Sequence, residues 1–158
     1  MKNLILVAAI IVAGIAHAQV STEIDNYSKI KIDGNASVEI LYSTDSRIQY
    51  SGSMEELNKN ISKDSEKLMI EGDDKNVRIR IFTNNLKAIQ ASGSARVLVN
   101  GFTSLSSLNV QTTENARLDL GDIRIENLSI SQNDDSTVKS TGAISKTVIR
   151  NGKLVAIK

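Results

Sequence analysis

Four short segments of this chain share one pattern: Asn35-Ala36-Ser37-Val38, Ser94-Ala95-Arg96-Val97, Asn115-Ala116-Arg117-Leu118 and Asp135-Ser136-Thr137-Val138. The last three copies follow one another at steps of 21 and 20 residues. Such a step is one supersecondary unit laid on its neighbour, so the pattern predicts a β-solenoid rather than a closed globule. Within each copy the first residue is small and polar, suited to the left-handed or bent backbone of a corner. The second, Ala or Ser, is small enough to sit inside that corner. The fourth, Val or Leu, is expected to point into the core, and Asn and Asp at the corners are expected to form ladders up the stack.

Between the copies, apolar and polar residues alternate with the period of half-buried strands. Ile30-Lys31-Ile32, Val38-Glu39-Ile40, Val77-Arg78-Ile79-Arg80-Ile81, Leu108-Asn109-Val110, Leu118-Asp119-Leu120, Ile123-Arg124-Ile125 and Leu128-Ser129-Ile130 all follow it. Gly, Asn, Asp, Ser and Thr fill the breaks. Short alternating strands alone would suit an antiparallel sandwich equally well. The repeat argues for parallel stacking, because Leu108 and Val110 return as Leu128 and Ile130, and Val148 follows at the same step. The chain has no proline, which a strand bonded along both edges cannot use. It has no tryptophan and 3% aromatic residues, as a narrow aliphatic interior requires.

One segment departs from the pattern. Met54, Leu57 and Ile61 fall at helical spacing, and Ser53 with Glu56 has the form of a capping box. A short helical interruption is therefore predicted near residues 53–61, covering an open end or edge of the sheet.

The N-terminus reads as an export signal. Lys2 precedes an apolar run from Leu4 to Ala16, and Ala16-His17-Ala18 is a small-x-small cleavage site. The run falls well short of the ~20 apolar residues that span a bilayer. Residues 1–18 are thus expected to be a signal peptide, and residues 19–158 a single β-solenoid domain with no membrane span. Lys2 and the single histidine, His17, leave with the signal, so the 18 acidic residues then face an equal number of Lys and Arg. That balance gives no electrostatic reason to expect nucleic acid as a partner. The absence of cysteine excludes disulfides and a lipid anchor on a cysteine after the signal, so a periplasmic or secreted, not lipid-anchored, protein is expected.

The same absences remove whole classes of chemistry. Without His or Cys after residue 18, a Ser-His-Asp triad, a Cys-His pair and the usual zinc sites cannot be assembled. Ser-Gly-Ser at 51–53 and at 92–94 lacks the frame of a nucleophile elbow and reads as turn. Asp73-Asp74 and Asp134-Asp135 are carboxylate pairs, but neighbours on a strand point to opposite faces, and in turns they are solvated caps. Gly121-Asp122 and Asp134-Asp135 meet the oxygen-ligand requirement of calcium only loosely. No catalytic residue, cofactor site or metal site is therefore assigned.

Two features point to binding. Arg78, Arg80, Arg96, Arg117 and Arg124 are expected on outer faces among Glu and Asp. They form either a mixed solvated surface or a groove for an acidic polysaccharide. Tyr27, Tyr42 and Tyr50 are read either as a sugar-stacking platform or as strand packing.

The order of these features resembles a known family. It comprises the opening over residues 27–40, the interrupting Glu56-Leu57-Asn58-Lys59-Asn60-Ile61, the strand Leu68-Met69-Ile70, and the stretch from Leu86 through Ala91-Ser92-Gly93-Ser94-Ala95-Arg96-Val97. The chain is similar here to the head GIN domain family of auto-transporter adhesin-like proteins from Bacteroidetes-type bacteria. The resemblance implies a right-handed parallel β-helix-like fold and an extracytoplasmic location, and carries no catalytic residues. Together these readings predict a non-enzymatic binding or adhesion module for a glycan or cell-envelope partner. The alternatives are a β-helix lyase or glycosidase and a periplasmic scaffold. The last strand, Leu154-Val155-Ala156-Ile157, is expected to leave an exposed edge open to self-association.

Overall fold

The computed structural model describes residues 19–64, 66–72 and 78–157. The signal segment and the pair Asp73-Asp74 lie outside the described residues.

The chain is all-β apart from one helix. Strands β1 (Gln19–Glu23), β2 (Lys29–Gly34), β3 (Ser37–Tyr42) and β4 (Arg47–Ser51) precede helix α1 (Met54–Asn60). Strands β5 (Ile61–Asp64), β6 (Lys67–Gly72), β7 (Arg78–Thr83), β8 (Ala88–Ala91) and β9 (Arg96–Asn100) follow. Then come β10 (Ser104–Thr112), β11 (Arg117–Asp119), β12 (Arg124–Gln132), β13 (Thr137–Lys139), β14 (Ala143–Arg150) and β15 (Lys153–Ile157). They form two mixed sheets: a 7-stranded sheet ordered β1-β4-β7-β3-β9-β11-β13 and an 8-stranded sheet ordered β15-β14-β12-β10-β8-β2-β6-β5.

From β6 to β14 the chain alternates between the sheets, and like strands pair in parallel, whereas β15 turns back antiparallel to β14. Val97 pairs with Val38 and with Leu118, and Leu118 pairs with Val138, so the fourth residues of the four signatures stand in one column. Ile79 extends that column on β7. A matching column crosses the other sheet through Leu68, Ile30, Ile89, Val110, Ile130 and Val148. These side chains form one cluster between the sheets, buried except for Val138 and Val148, which are half-buried against it. Each fully buried aliphatic contributes roughly 1.5–3 kcal/mol.

The tiers do not stack in chain order. β3 lies between β7 and β9, and β2 between β6 and β8, so the first tier is sandwiched between the two that follow it. The excursion through β4, α1 and β5 makes this possible. β4 runs antiparallel to β7 and to β1, and β5 antiparallel to β6, closing this end with strands of opposite sense. α1 starts on the expected capping box: Ser53 and Glu56 each accept the other's backbone N–H, at 3.2 and 2.9 Å. It buries Leu57, while Ile61 is half-buried and Met54 exposed.

Four expectations shift in detail. The left-handed backbone sits one residue before each signature, at Gly34, Gly93, Glu114 and Asp134, with φ of 90°, 71°, 58° and 57°. The signature's first residue is thus the step after the turn, and its second residue fills the corner: Ala36, Ala95, Ala116 and Ser136 are all buried. Ile123, Arg124, Ile125, Leu128 and Ile130 do not form two strands, since β12 runs unbroken from Arg124 to Gln132. The repeat also shortens at the last tier: Val148 pairs with Ile130, and Leu128 pairs with Lys146. The expected corner ladder exists, again one place earlier. Glu114 N–H donates to Asp134 Oδ2 (3.1 Å), and Asp134 N–H donates to Asn151 Oδ1 (3.0 Å).

Candidate functional site

The parallel register that aligns the core also aligns the side chains pointing the other way. On the outer face of the 7-stranded sheet, Ser37 pairs with Arg78 on one side and Arg96 on the other, Arg96 with Arg117, and Arg117 with Thr137. One row therefore reads Arg78, Ser37, Arg96, Arg117, Thr137. Two residues along, a second row reads Arg80, Glu39, Leu98, Asp119, Lys139. A third carries Phe82, Leu41 and Asn100.

The rows differ in chemistry. In the second row each acid has a cation: Arg80 Nε lies 3.0 Å from Glu39 Oε2, and Lys139 Nζ 3.5 Å from Asp119 Oδ2. Between these pairs Leu98 is 43% exposed. In the third row the Arg47 guanidinium lies 4.1 Å from the centre of the Phe82 ring. In the first row, none of the guanidinium groups of Arg78, Arg96 and Arg117 has an ion-pair partner among the described residues. Arg96 and Arg117 occupy directly paired positions, and like charges directly opposite one another destabilise a sheet.

A shallow groove of about 600 Å³ runs over the first two rows. It adjoins a second cavity of about 390 Å³ lined by Asn35, Ser37, Arg78, Ser94 and Arg96. This combination of hydrogen-bonding side chains and unpaired guanidinium groups can hold oxyanions and hydroxyl groups.

The arginines singled out in the sequence are partly gathered here. Arg78, Arg80, Arg96 and Arg117 share this face, whereas Arg124 begins β12 in the other sheet. The tyrosines are not gathered. Tyr27 and Tyr50 are buried, and Tyr42 is exposed at a corner, edge-on to Phe102 with ring centres 5.5 Å apart. Burial, with help from a hydrogen bond to Asp25, pushes the Tyr27 phenol above its ordinary pKa. Tyr50 accepts a hydrogen bond from Asn60. Both thus act in packing. Asp134 is spent on the corner ladder, and Asp119 also accepts the N–H of Gly121 at 2.8 Å. No cluster of three or more potential metal-ligating side chains occurs among the described residues.

Sequence reasoning missed Ser37 and the second-row pairs. The sole signal for Ser37 was its place in the signature: where later copies carry Arg96, Arg117 and Thr137, the first has the shortest side chain.

The profile of a family described as "putative auto-transporter adhesin, head GIN domain" matches residues 26–153. Among solved structures, the fold is similar to a "putative adhesin" of Bacteroides fragilis NCTC 9343, with TM-score 0.68 and 16% identity, over 80% of this chain and 63% of that one. It is also similar to a "putative adhesin" of Parabacteroides merdae ATCC 43184 (TM-score 0.58, 19% identity, 77% of this chain and 55% of that one). A third is a "putative lipid binding protein" of Parabacteroides distasonis ATCC 8503 (TM-score 0.56, 15% identity, 83% of this chain and 67% of that one). The match thus spans less than two thirds of the first two relatives' length. No functionally curated protein matches the chain.

Proposed function

The chain belongs to the head GIN domain family, and on that premise we propose that it is an exported, non-enzymatic β-solenoid that binds an acidic glycan of the cell envelope or its surroundings. The observation that carries this reading is the row of Arg78, Arg96 and Arg117, three cations on fixed strands with no acidic partner among the described residues. Holding like charges at paired positions costs stability, and an anionic ligand offsets that cost. The family's description as an adhesin head supports a binding role, and export through residues 1–18 belongs to the same reading.

A lyase or glycosidase is less well supported. Those reactions need a free base or a pair of carboxyl groups facing one substrate. On this face Glu39 and Asp119 are each held by a cation one strand away. Unchanged viscosity of an acidic polysaccharide solution after incubation with the protein is the expected result, and a falling viscosity would favour the enzyme.

A glycan array probed with the protein, with and without calcium, tests the main reading. Retention of uronate- or sulfate-bearing glycans, independent of calcium and weakened by salt, is expected. Equal binding of neutral glycans, or none of acidic ones, would overturn it.

A second reading concerns association with another copy. In β15, Leu154, Val155 and Ile157 are 59%, 60% and 72% exposed, and that strand is the outermost of its sheet. An apolar outermost strand of this kind is a template for pairing. Sedimentation velocity across a concentration series, compared with Val155→Lys, separates an associating protein from a monomer.

A further inference from the structure

The cavity of about 390 Å³ beside the groove has an unusual lining: Asn35, Ser37, Arg78, Ser94 and Arg96, with no acidic and no apolar side chain. Its geometry follows from the pairing. β7, β3 and β9 are consecutive strands, so Arg78 and Arg96 stand two strand spacings apart with Ser37 between them. One spacing is about 4.8 Å. A short side chain between two long ones leaves a slot, walled by guanidinium groups and floored by a hydroxyl. Asn35 and Ser94 stand where the chain turns the corner into β3 and β9 and supply further hydrogen-bonding groups.

We infer that this slot is a subsite for one acidic substituent, a carboxylate, sulfate or phosphate, of a linear glycan lying across the strands, and that Arg117 meets the next acidic group along. The inference rests on the proposed glycan reading and specifies its recognition chemistry. Two guanidinium groups facing one gap offer planar donor forks that match the paired oxygens of such groups. A neutral sugar would leave both charges unanswered. The direction of the chain follows from the row, which runs perpendicular to the strands. Arg117 stands two strand spacings from Ser37, about 10 Å, so it meets an acidic group farther along the chain than the one in the slot.

The width of the ligand is limited as well. Glu39 and Asp119 stand one row from the slot, so the positive strip is a single row wide. The second row is neutral overall, so a broad polyanion such as a nucleic-acid duplex gains no further net attraction from it. A thin chain lies along the first row alone, and its hydroxyl groups can donate to Glu39 and Asp119.

The test fills the slot without touching a charge. Ser37→Leu keeps every arginine and introduces a side chain that a strand accepts. Binding of a uronate hexasaccharide, a sulfated hexasaccharide and a phosphate-bearing oligosaccharide is measured by calorimetry, with thermal unfolding confirming that each variant folds. For whichever acid class the unaltered protein binds, Ser37→Leu is expected to weaken affinity at least tenfold. Arg117→Gln is expected to weaken it two- to fivefold, and Gln111→Leu on the opposite sheet to leave it unchanged. Arg78→Gln with Arg96→Gln should match or exceed the loss from Ser37→Leu.

Should acidic glycans bind wild type and Ser37→Leu equally, the slot is overturned while the glycan reading stands. If no acidic glycan binds the unaltered protein, both fall. If a duplex oligonucleotide competes as strongly as the glycans and Ser37→Leu does not discriminate, the inference falls in favour of diffuse polyanion binding.

Discussion

The two sheets share one interior, yet their outer faces are opposites. Across the 8-stranded sheet a row runs through Met69, Lys31, Gln90, Gln111, Ser131 and Ile149. Its central residues are uncharged, and Gln90 donates directly to Gln111 at 2.8 Å. Across the 7-stranded sheet the corresponding positions hold Arg78, Ser37, Arg96, Arg117 and Thr137, with the arginines unpaired among the described residues. The lattice of strands is indifferent to which polar group points outward, so packing does not require three cations in line. An amide ladder satisfies itself, whereas an exposed guanidinium row is satisfied by water, counter-ions or an anionic ligand. The contrast is why the proposed binding site is placed on one face and not on the other.

That contrast can be broken in several ways, the largest concerning inside against outside on a single strand. Val97 is 3% exposed and its neighbour Arg96 points outward. Val97→Asp should cost about 4 kcal/mol or more, because it buries an unpaired charge. Arg96→Asp should change stability by only about 0.5 kcal/mol while sharply reducing affinity for acidic glycans. Chemical denaturation of both variants checks this, and equal losses would show the assignment of faces to be wrong.

Next in size is a pair of corner glycines. Gly93 has φ +71°, and a Cβ there would stand 2.6 Å from the carbonyl oxygen of Gly34 in the neighbouring tier. Gly121 has φ +56° with nothing within 4 Å of a Cβ. Gly121→Ala should cost roughly 1–2 kcal/mol, the penalty of left-handed backbone alone. Gly93→Ala should cost clearly more, since the tiers themselves must part; equal melting temperatures would contradict the close stacking at that corner.

Smaller effects separate the two faces electrostatically. Arg117→Gln removes a like-charge neighbour of Arg96 and should raise stability by a few tenths of a kcal/mol, about 0.3, while lowering glycan affinity. Gln111→Lys on the other sheet should alter neither by a comparable amount. Raising salt from 0.05 to 0.5 M, a change that shortens the screening length to well below about 10 Å, should weaken glycan binding to the wild type and have less effect on Arg96→Gln.

Much of this architecture was legible in the sequence because corners constrain composition. Ala36, Ala95, Ala116 and Ser136 are small residues buried at corresponding corners, so their recurrence marked the stack. The order of the tiers was not legible. Nothing local to Asn35-Ala36-Ser37-Val38 reveals that it stacks directly on Ser94-Ala95-Arg96-Val97 after a long excursion, since the pairing is set by what the excursion leaves uncovered. The turn residue was misplaced by one position because Glu114 and Asp134 do not resemble the glycines they align with. The site was half legible. Each arginine could be assigned to an exterior, but the row exists only through register, and Ser37 matters for what it lacks. Of the two readings of the tyrosines, strand packing holds for Tyr27 and Tyr50, which are buried, while Tyr42 is exposed.

Mapping backbone amide shifts during titration with an acidic oligosaccharide tests the central claim most directly. Perturbations are expected to concentrate at Ser37, Arg78, Arg96 and Arg117, with Gln90, Gln111 and Ser131 unmoved. Shifts centred on the amide row, or on β15, would contradict it.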